Sequence, residues 1–302
     1  MRIASVTVTY NDQYKIKEWL SYYHEYRSEI SVHIIVDNGS DPDFSRALHD
    51  LFPGSVIIRR DTNKGTTAAY NDGIRYALEQ ADVDSILLLG NDIRMRSGNL
   101  TILHEALFRE GRCGVIMPLL FAKDSDVIES YGSTIDSLLS LSHAYENKRV
   151  DDRLPLIHEV GGVAGGINLA KREYYESLGL QDEGLFMYGD EIDMGLRMAA
   201  AGVKAMATRR AVAWHQHISP TGSKCRQEYA VFLIRRNNIY LAYKHFGPLR
   251  AIAVFAALIL RAPLLAGAFI RKGAPGQLFY YLFGCICGIC RIQRNFRFIV
   301  DN

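Results

Sequence analysis

Disulfides can be set aside first. Only five cysteines occur in 302 residues, with Cys113 and Cys225 isolated and Cys285, Cys287 and Cys290 forming a CxCxxC group. That is no framework for a chain of this length. The CxCxxC group sits among Phe283, Ile286 and Ile289 with no fourth ligand or polar partner nearby, so these thiols are expected to fill apolar space rather than bind metal. No GxGxxG follows the first strand-like run, which removes the dinucleotide fingerprint, and the absence of GxxxxGK[ST] disfavours P-loop ATP hydrolysis. No leader-like stretch precedes the first strand, so the body is expected in the reducing cytosol. Acidic residues run short towards the end. From Phe246 onward seven Lys/Arg face a single Asp, so the net charge of +2 divides into +6 for the tail and −4 for the first 245 residues. A basic tail on an acidic body points to an anionic surface, phospholipid headgroups first, and not to nucleic acid.

What remains is an alternation of short β-branched runs and amphipathic segments. Residues 3–9, 32–36, 56–59 and 86–89 read as buried strands, with helical periodicity at 15–26 and an Ala-rich helix over 66–80. A strand, a helix and a second strand in succession imply parallel βα units. Polar residues follow the strands repeatedly: Tyr10, Asn11 and Asp12 after the first, Asp37 to Ser40 at the second, Asn63 to Gly65 after the third, Gly90 to Asp92 after the fourth. The carboxyl ends of parallel strands are where open α/β sheets bind ligands, and four such ends suit a nucleotide-sized one. Further on, a helix is expected over 100–111, a strand over 115–121, a long loop or small antiparallel excursion over 122–158, a helix over 168–178, and two short strands at 205–208 and 211–214. Gly161, Gly162, Gly165 and Gly166 mark turns or a close backbone approach.

Residues 185–202, LFMYGDEIDMGLRMAAAG, concentrate acid at a helix start. Ile192, Leu196, Ala199 and Ala200 fall at helical spacing, Gly202 suits the stop, and Asp193 can pair with Arg197 at the surface. Acidic residues favour the first turn because its free N–H groups carry partial positive charge. Three carboxylates in four residues nevertheless exceed what a cap needs.

Taken in order, TYN, VDNGS, NKGTTAAYNDG, LLLGNDI, a Gly-rich segment, GDEIDMGLR and WHQH make residues 1–245 resemble glycosyltransferase family 2, in particular its bacterial rhamnosyltransferase-like branch. The resemblance implies a GT-A fold, a mostly parallel mixed sheet flanked by helices. It also implies inverting transfer of a sugar from a nucleotide diphosphate, dTDP-rhamnose or a UDP-sugar, to a hydroxyl of a lipid-linked or oligosaccharide acceptor in surface polysaccharide synthesis. By motif position, Thr9, Tyr10 and Asn11 would line the base and ribose, and Asp37 would hydrogen-bond the base from the turn of Asn38, Gly39 and Ser40. Asn63, Gly65 and Asn71 would run beneath the nucleotide and sugar, with helix capping as the plain alternative for the two asparagines. Asn91 and Asp92 match the DxD-like segment. Asp92 would hold Mg²⁺ or Mn²⁺, and His215 would complete the site, with His217 a neighbour rather than a ligand.

The chemistry calls for these residue types. A leaving nucleoside diphosphate needs a hard cation, and the acceptor hydroxyl needs a carboxylate base. The family's acidic pair maps onto Glu191 as first choice of base and Asp190 as second, in inverted order. Gly90 and Arg94 stand where the metal motif commonly has a second acid, which weakens the expected ligation; Arg94 or Arg96 is an alternative phosphate contact.

The tail, 246–302, forms a separate expectation. Residues 251–270 are apolar but for Arg261, and Arg250, Arg261 and Lys272 recur every eleven positions, with Arg291, Arg294 and Arg297 beyond. A charge at mid-span costs on the order of 2.5–3.5 kcal/mol. Helices lying in the interface therefore fit better than a crossing, giving a peripheral protein on the cytoplasmic face of the membrane. Packing on the body or a second subunit is the alternative. A preceding helix over 227–245 carries the sequence Arg236-Asn237-Asn238, whose role stays open. A sugar-nucleotide nucleotidyltransferase is a poorer fit, because the loop after the first strand lacks a Gly-rich basic triphosphate cradle. A non-catalytic nucleotide- or glycan-binding relative is the remaining competitor.

Overall fold

The computed structural model describes residues 1–217, 224–271 and 273–290, with backbone alone for 224–227. Lys272, Arg291, Arg294, Arg297 and the side chain of Cys225 lie outside the described residues.

The chain opens with strand β1 (Ile3–Thr9), helix α1 (Ile16–Tyr26), β2 (Val32–Asp37), α2 (Pro42–Leu51), β3 (Val56–Arg59), α3 (Thr66–Glu79) and β4 (Ser85–Leu89). It continues through β5 (Ile93–Arg94), α4 (Asn99–Arg109), β6 (Cys113–Ala122), β7 (Ile128–Ser130), β8 (Ser133–Ile135), β9 (Leu141–His143), β10 (Ile157–Val160), β11 (Ile167–Lys171), α5 (Arg172–Leu178), α6 (Asp190–Ala201) and β12 (Lys204–His215). Three helices close it: α7 (Lys224–Phe246), α8 (Pro248–Arg271) and α9 (Gly276–Ile289).

The main sheet runs β10-β12-β6-β11-β4-β1-β2-β3, with β5 on β12 and β7 on β6; β8 and β9 form a separate ribbon. The pairs β1–β2, β1–β4, β2–β3 and β6–β12 are parallel, and β11 lies antiparallel between β4 and β6. Consequently β1, β2, β3, β4, β6 and β12 all point the same way, and their carboxyl ends deliver Thr9, Asp37, Asn91–Asp92 and His215 to one rim. Strands β1, β2 and β4 are almost wholly buried, as near-continuous apolar runs in a sheet covered on both faces should be.

Two stretches depart from the sequence reading. Residues 168–178 are not one helix: β11 passes directly into α5 at Lys171–Arg172, without the Gly or Pro that would have marked the junction. Residues 204–215 are one strand, not two, with a register shift between Thr208 and Val212 that absorbs Arg209, Arg210 and Ala211 as a bulge. The 122–158 segment is the antiparallel excursion, built from β7, β8 and β9.

A second apolar cluster lies beside the sheet core. Leu138, Leu139, Leu185 and Ile192 pack with Ile239, Leu241 and Ala242 of α7, with Ala251, Val254, Leu258 and Ala262 of α8, and with Tyr281 and Cys285 of α9. The tail helices thus share a core with the helix that carries Asp190 and Glu191. Cys285 belongs to this cluster, whereas Cys287 packs with Phe232 and Leu233 and Cys290 is exposed, so the three thiols point to different surroundings.

Candidate active site

The rim is assembled from loops tied to one another by side chains. After β1, Asn11 takes a left-handed conformation (φ 51°), its N–H donating to the Ser40 hydroxyl at 2.9 Å while its side-chain oxygen accepts from the Asp41 N–H at 2.9 Å. Thr9 donates to Asp12 Oδ2 at 3.0 Å, and the Tyr10 N–H reaches the same oxygen at 3.3 Å. Asn91 donates to it at 2.7 Å from the end of β4, and Lys15 Nζ lies 3.1 Å from Asp12 Oδ1. The buried Asp12 therefore joins the first and fourth strand ends, a role the sequence did not single out.

Asp37 is fully buried at the end of β2. Its Oδ1 accepts the Ser40 N–H at 2.9 Å, and its Oδ2 has no hydrogen-bond partner. A buried carboxylate oxygen left unpaired is costly, and a donor on a bound base would satisfy it. Asn38 donates to Asn63 Oδ1 at 2.9 Å and to the Gly65 carbonyl at 3.2 Å, so these residues fasten the β2 and β3 loops together. Gly39 (φ +86°) allows this, since a Cβ there would fall 2.7 Å from the Thr62 backbone. Asn71 is occupied differently. Its amide donates to the Gln181 carbonyl and to Glu183 Oε1, and its oxygen accepts the Gln181 N–H, all at 2.9 Å, so it anchors the approach to α6.

That approach is strained and heavily restrained. Phe186 (φ 63°) and Tyr188 (φ 65°) are left-handed although neither is glycine, a conformation of order 1–2 kcal/mol per residue for L side chains. The Phe186 carbonyl lies over the start of α3, where a Cβ on Gly65 would come within 2.2 Å of it. From the far side, Arg236 Nη2 donates to the Gly184 and Leu185 carbonyls at 3.0 and 2.6 Å. Asn237 reaches the carbonyls of Leu185, Met187 and Tyr188 at 3.1, 2.9 and 2.7 Å. Arg236 and Asn237 thus hold the turn that leads into Asp190 and Glu191, whereas Asn238 donates to the Ser140 hydroxyl at 3.1 Å.

Glu191 lies against the Gly-rich segment. A Cβ on Gly165 would sit 2.6 Å from Glu191 Oε1, and one on Gly162 would sit 3.3 Å from the Glu191 carbonyl. Burial, and then the neighbouring charge of Glu191, push the Asp190 carboxyl well above the usual carboxylate range. On α3, burial first and then the charges of Asp190, Asp92 and Glu191 raise the Tyr70 phenol. Asp193 belongs elsewhere. It is buried, not at the surface, and pairs with Arg197 at 3.0 Å, Lys244 at 2.7 Å and His245 at 2.8 Å, which fixes α6 to α7.

Across the cleft, His215 Nε2 lies 3.5 Å from Asp92 Oδ2, and Nδ1 lies 2.7 Å from Glu129 Oε1. Burial disfavours the imidazolium, but the hydrogen bonds and charges of Asp92 and Glu129 prevail and bring His215 to about 9. Burial likewise works against the Asp92 anion, and His215 outweighs it, leaving that carboxyl below its usual value. The pair fits a divalent cation: two ligand atoms each roughly 2.1 Å from one ion stand about 3.0–3.5 Å apart. No second carboxylate could stand at Gly90 unopposed, because a Cβ there would already be 3.1 Å from Asp92 Oδ1. Arg94 is paired with Glu25 at 2.9 Å and Arg96 lies over the Trp214 ring. Tyr70, Lys15, Asp12 and Glu129 were not among the sequence candidates. Tyr70 was present within the quoted NKGTTAAYNDG, whereas nothing in the local sequence marks Glu129.

Comparison with known proteins fits this geometry. Residues 6–179 match the family model "Glycosyl transferase family 2". An N-acetylglucosaminyl-diphospho-decaprenol L-rhamnosyltransferase of Mycobacterium tuberculosis is 25% identical over 270 residues, covering 81% of this chain and 86% of the relative. The low-salt glycan biosynthesis hexosyltransferase Agl10 of Haloferax volcanii is 22% identical, covering 78% and 74%. Among solved structures, the mannosyltransferase PcManGT of Pyrobaculum calidifontis, in complex with GDP-Man and Mn²⁺, superposes with a TM-score of 0.56 at 14% identity, covering 96% of this chain and 88% of that one. GalNAc-T7 with UDP, GalNAc and Mn²⁺ gives 0.59 at 14%, covering 78% of this chain and 47% of that one. The fold is GT-A.

Proposed function

The chain belongs to glycosyl transferase family 2, and we propose that it is an inverting enzyme transferring rhamnose or a related hexose from a nucleoside diphosphate to a hydroxyl of a lipid-linked glycan. The observation that carries this reading is the pairing of Asp190 and Glu191 against Gly165, across the cleft from Asp92 and His215. Asp190 stands beside Glu191 in the first turn of α6, and the Gly-rich segment packs against Glu191 from the other side. Glu191 takes the proton of the acceptor hydroxyl as that oxygen bonds to the anomeric carbon. The bond from that carbon to the diphosphate breaks on the opposite face, and the configuration inverts. Asp37 Oδ2 accepts a hydrogen bond from the base, and Thr9 to Asn11 with Asn38 and Asn63 shape the pocket that holds it. Asp92 and His215 would hold Mn²⁺ or Mg²⁺, which neutralises the leaving diphosphate.

The donor is dTDP-rhamnose ahead of UDP-sugars, and the acceptor a polyprenyl-diphospho-N-acetylglucosamine or its longer products, by likeness to the mycobacterial relative. A lipid-linked acceptor suits the tail. Helix α8 is long and apolar enough to cross a membrane, and most of its surface is not buried against the rest of the chain. One face packs on α7 and α9 through Ala251, Val254, Leu258 and Ala262; the other exposes Leu249, Ile252, Leu260, Leu264 and Ile270. Residues 246–302 then form a membrane-facing appendage to the catalytic part, 1–245, resting peripherally on the cytoplasmic leaflet.

The test is a donor screen on the full-length protein, reading nucleoside diphosphate release with and without a polyprenyl-diphospho-N-acetylglucosamine acceptor, and the anomeric configuration of the product. Acceptor-dependent release with dTDP-rhamnose and an inverted product is expected. A retained configuration refutes the mechanism, and inertness towards every dTDP-, UDP- and GDP-sugar favours a binding scaffold.

A further inference from the structure

Three side chains meet behind Asp92: Glu129 of β7, and His215 and His217 at the end of β12. Their ligand atoms all lie within 4.8 Å of one another, so by spacing alone they could hold a cation themselves. The hydrogen-bond geometry decides otherwise. Glu129 Oε1 is 2.7 Å from His215 Nδ1, and Glu129 Oε2 is 2.7 Å from His217 Nε2. Both oxygens of one carboxylate are thus used by two ring nitrogens at ordinary hydrogen-bond length. An ionised carboxylate only accepts, so each of those nitrogens must carry its proton and has no lone pair to give a metal. For His215 this fixes the tautomer: with the proton on Nδ1, the lone pair of the neutral ring lies on Nε2, the nitrogen that faces Asp92 at 3.5 Å. The His217 ring lies against the His215 ring with centroids 3.7 Å apart, filling the space beside it.

We propose that Glu129 is the positioning residue of the cation site, orienting His215 so that Nε2 and Asp92 together face the diphosphate, with His217 bracing the same carboxylate from outside the ligand set. The inference rests on the reading that Asp92 and His215 hold a divalent cation. It adds a residue from the 122–158 excursion that no motif marks. Partners of this kind orient metal-bound imidazoles, and their loss typically costs 10–100-fold in metal affinity.

The experiment measures Mn²⁺ binding by the full-length protein directly, by electron paramagnetic resonance titration in the presence of saturating dTDP, without turnover. The variants are Glu129→Ala, Glu129→Gln, His217→Ala and Asp92→Asn. Metal-free dTDP binding and thermal unfolding of each serve as controls for folding. Glu129→Ala should weaken Mn²⁺ by 10–100-fold. Glu129→Gln, whose amide oxygen can still accept from Nδ1, should recover most of that loss. His217→Ala should stay within about threefold of wild type, and Asp92→Asn should lose the high-affinity site. If His217→Ala weakens Mn²⁺ as much as Glu129→Ala while Asp92→Asn leaves it intact, the three-residue cluster is itself the cation site and the positioning role is refuted, although metal-assisted transfer survives. If the wild type binds no Mn²⁺ with dTDP present, both the role and the cation reading fall. If Glu129→Ala fails to fold, Glu129→Gln decides: a loss as large as that of Asp92→Asn, with metal-free dTDP binding intact, overturns orientation through hydrogen bonding.

Discussion

Replacing Asn237 by leucine should uncouple the turn that leads into Asp190 and Glu191 from the helix that holds it. Leucine keeps the number and branching of asparagine's side-chain heavy atoms in a bulkier form, and the site is buried, so the substitution removes the amide donors, and the oxygen that accepts from Arg236 Nε, without leaving a void. Three carbonyls are affected, those of Leu185, Met187 and Tyr188. The Leu185 carbonyl keeps Arg236 Nη2 at 2.6 Å, so two are left without that donor. An orphaned buried polar group costs about 1–3 kcal/mol, which gives roughly 2–4 kcal/mol of destabilisation once partial access of water to this half-buried loop is allowed for. The left-handed backbone at Phe186 and Tyr188 persists because its surroundings impose it, and with those restraints gone it should relax. Asp190 and Glu191 follow immediately in the chain. A displacement on the order of 1 Å at the reacting groups costs about 10²-fold in rate, so kcat should fall about 10–100-fold. The dTDP-sugar dissociation constant should change only a few-fold, since Asp37 and Asp92 stand on other elements. Urea unfolding, steady-state kinetics and donor titration on one preparation measure all three. An Asn237→Leu protein as stable as wild type with full kcat would refute this account of the turn.

Gly65→Ala should lower kcat by a similar route, because φ +91° and the 2.2 Å approach to the Phe186 carbonyl leave no room for a Cβ; wild-type kinetics would contradict the contact. Asp193 makes acid stability a readout of the α6–α7 junction. Burial works against its charged form, but His245, Lys244 and Arg197 prevail and bring it down to about 2, below the usual aspartate value. A depressed carboxylate contributes its stability above the unfolded value and loses it as pH falls through the folded one. Roughly 2 kcal/mol should therefore disappear between about pH 4 and pH 2. Asp193→Asn should remove that part of the acid dependence, and an unchanged acid profile would count against the assignment. For the tail, Leu260→Glu with Leu264→Glu in the full-length chain should abolish co-sedimentation with anionic vesicles while leaving dTDP binding intact, since both side chains are nearly four-fifths exposed. Undiminished pelleting would show that α8 does not face lipid.

Much of this site was legible because parallel strands end abruptly. Asp37 and Asp92 stand where runs such as VHIIVD and SILLL give way to polar residues, and position alone placed them on one rim. Glu191 was legible through its acidic neighbours, but the reason for its orientation was not, since Gly162 and Gly165 lie some 30 residues away and meet it only in the fold. Glu129 was hidden for a related reason. It sits in a three-residue strand within a polar excursion, where no period of two can be established. The helix expected over 168–178 was misplaced because Ile167–Lys171 is buried on both sides between β4 and β6 and so lacks the alternation of a half-exposed strand. On α7, Arg236, Asn237 and Asn238 look like a solvated face by composition. Their burial became intelligible only with the carbonyls of residues 184–188 in place for Arg236 and Asn237, and the Ser140 hydroxyl for Asn238.

The proposed transfer turns on Glu191, lodged against Gly165, taking the proton of the acceptor hydroxyl. Glu191→Gln preserves shape and removes the base. Nucleoside diphosphate release in the presence of polyprenyl-diphospho-N-acetylglucosamine should fall by 10²–10⁴-fold, with donor affinity within about threefold of wild type. Full turnover by Glu191→Gln would contradict it.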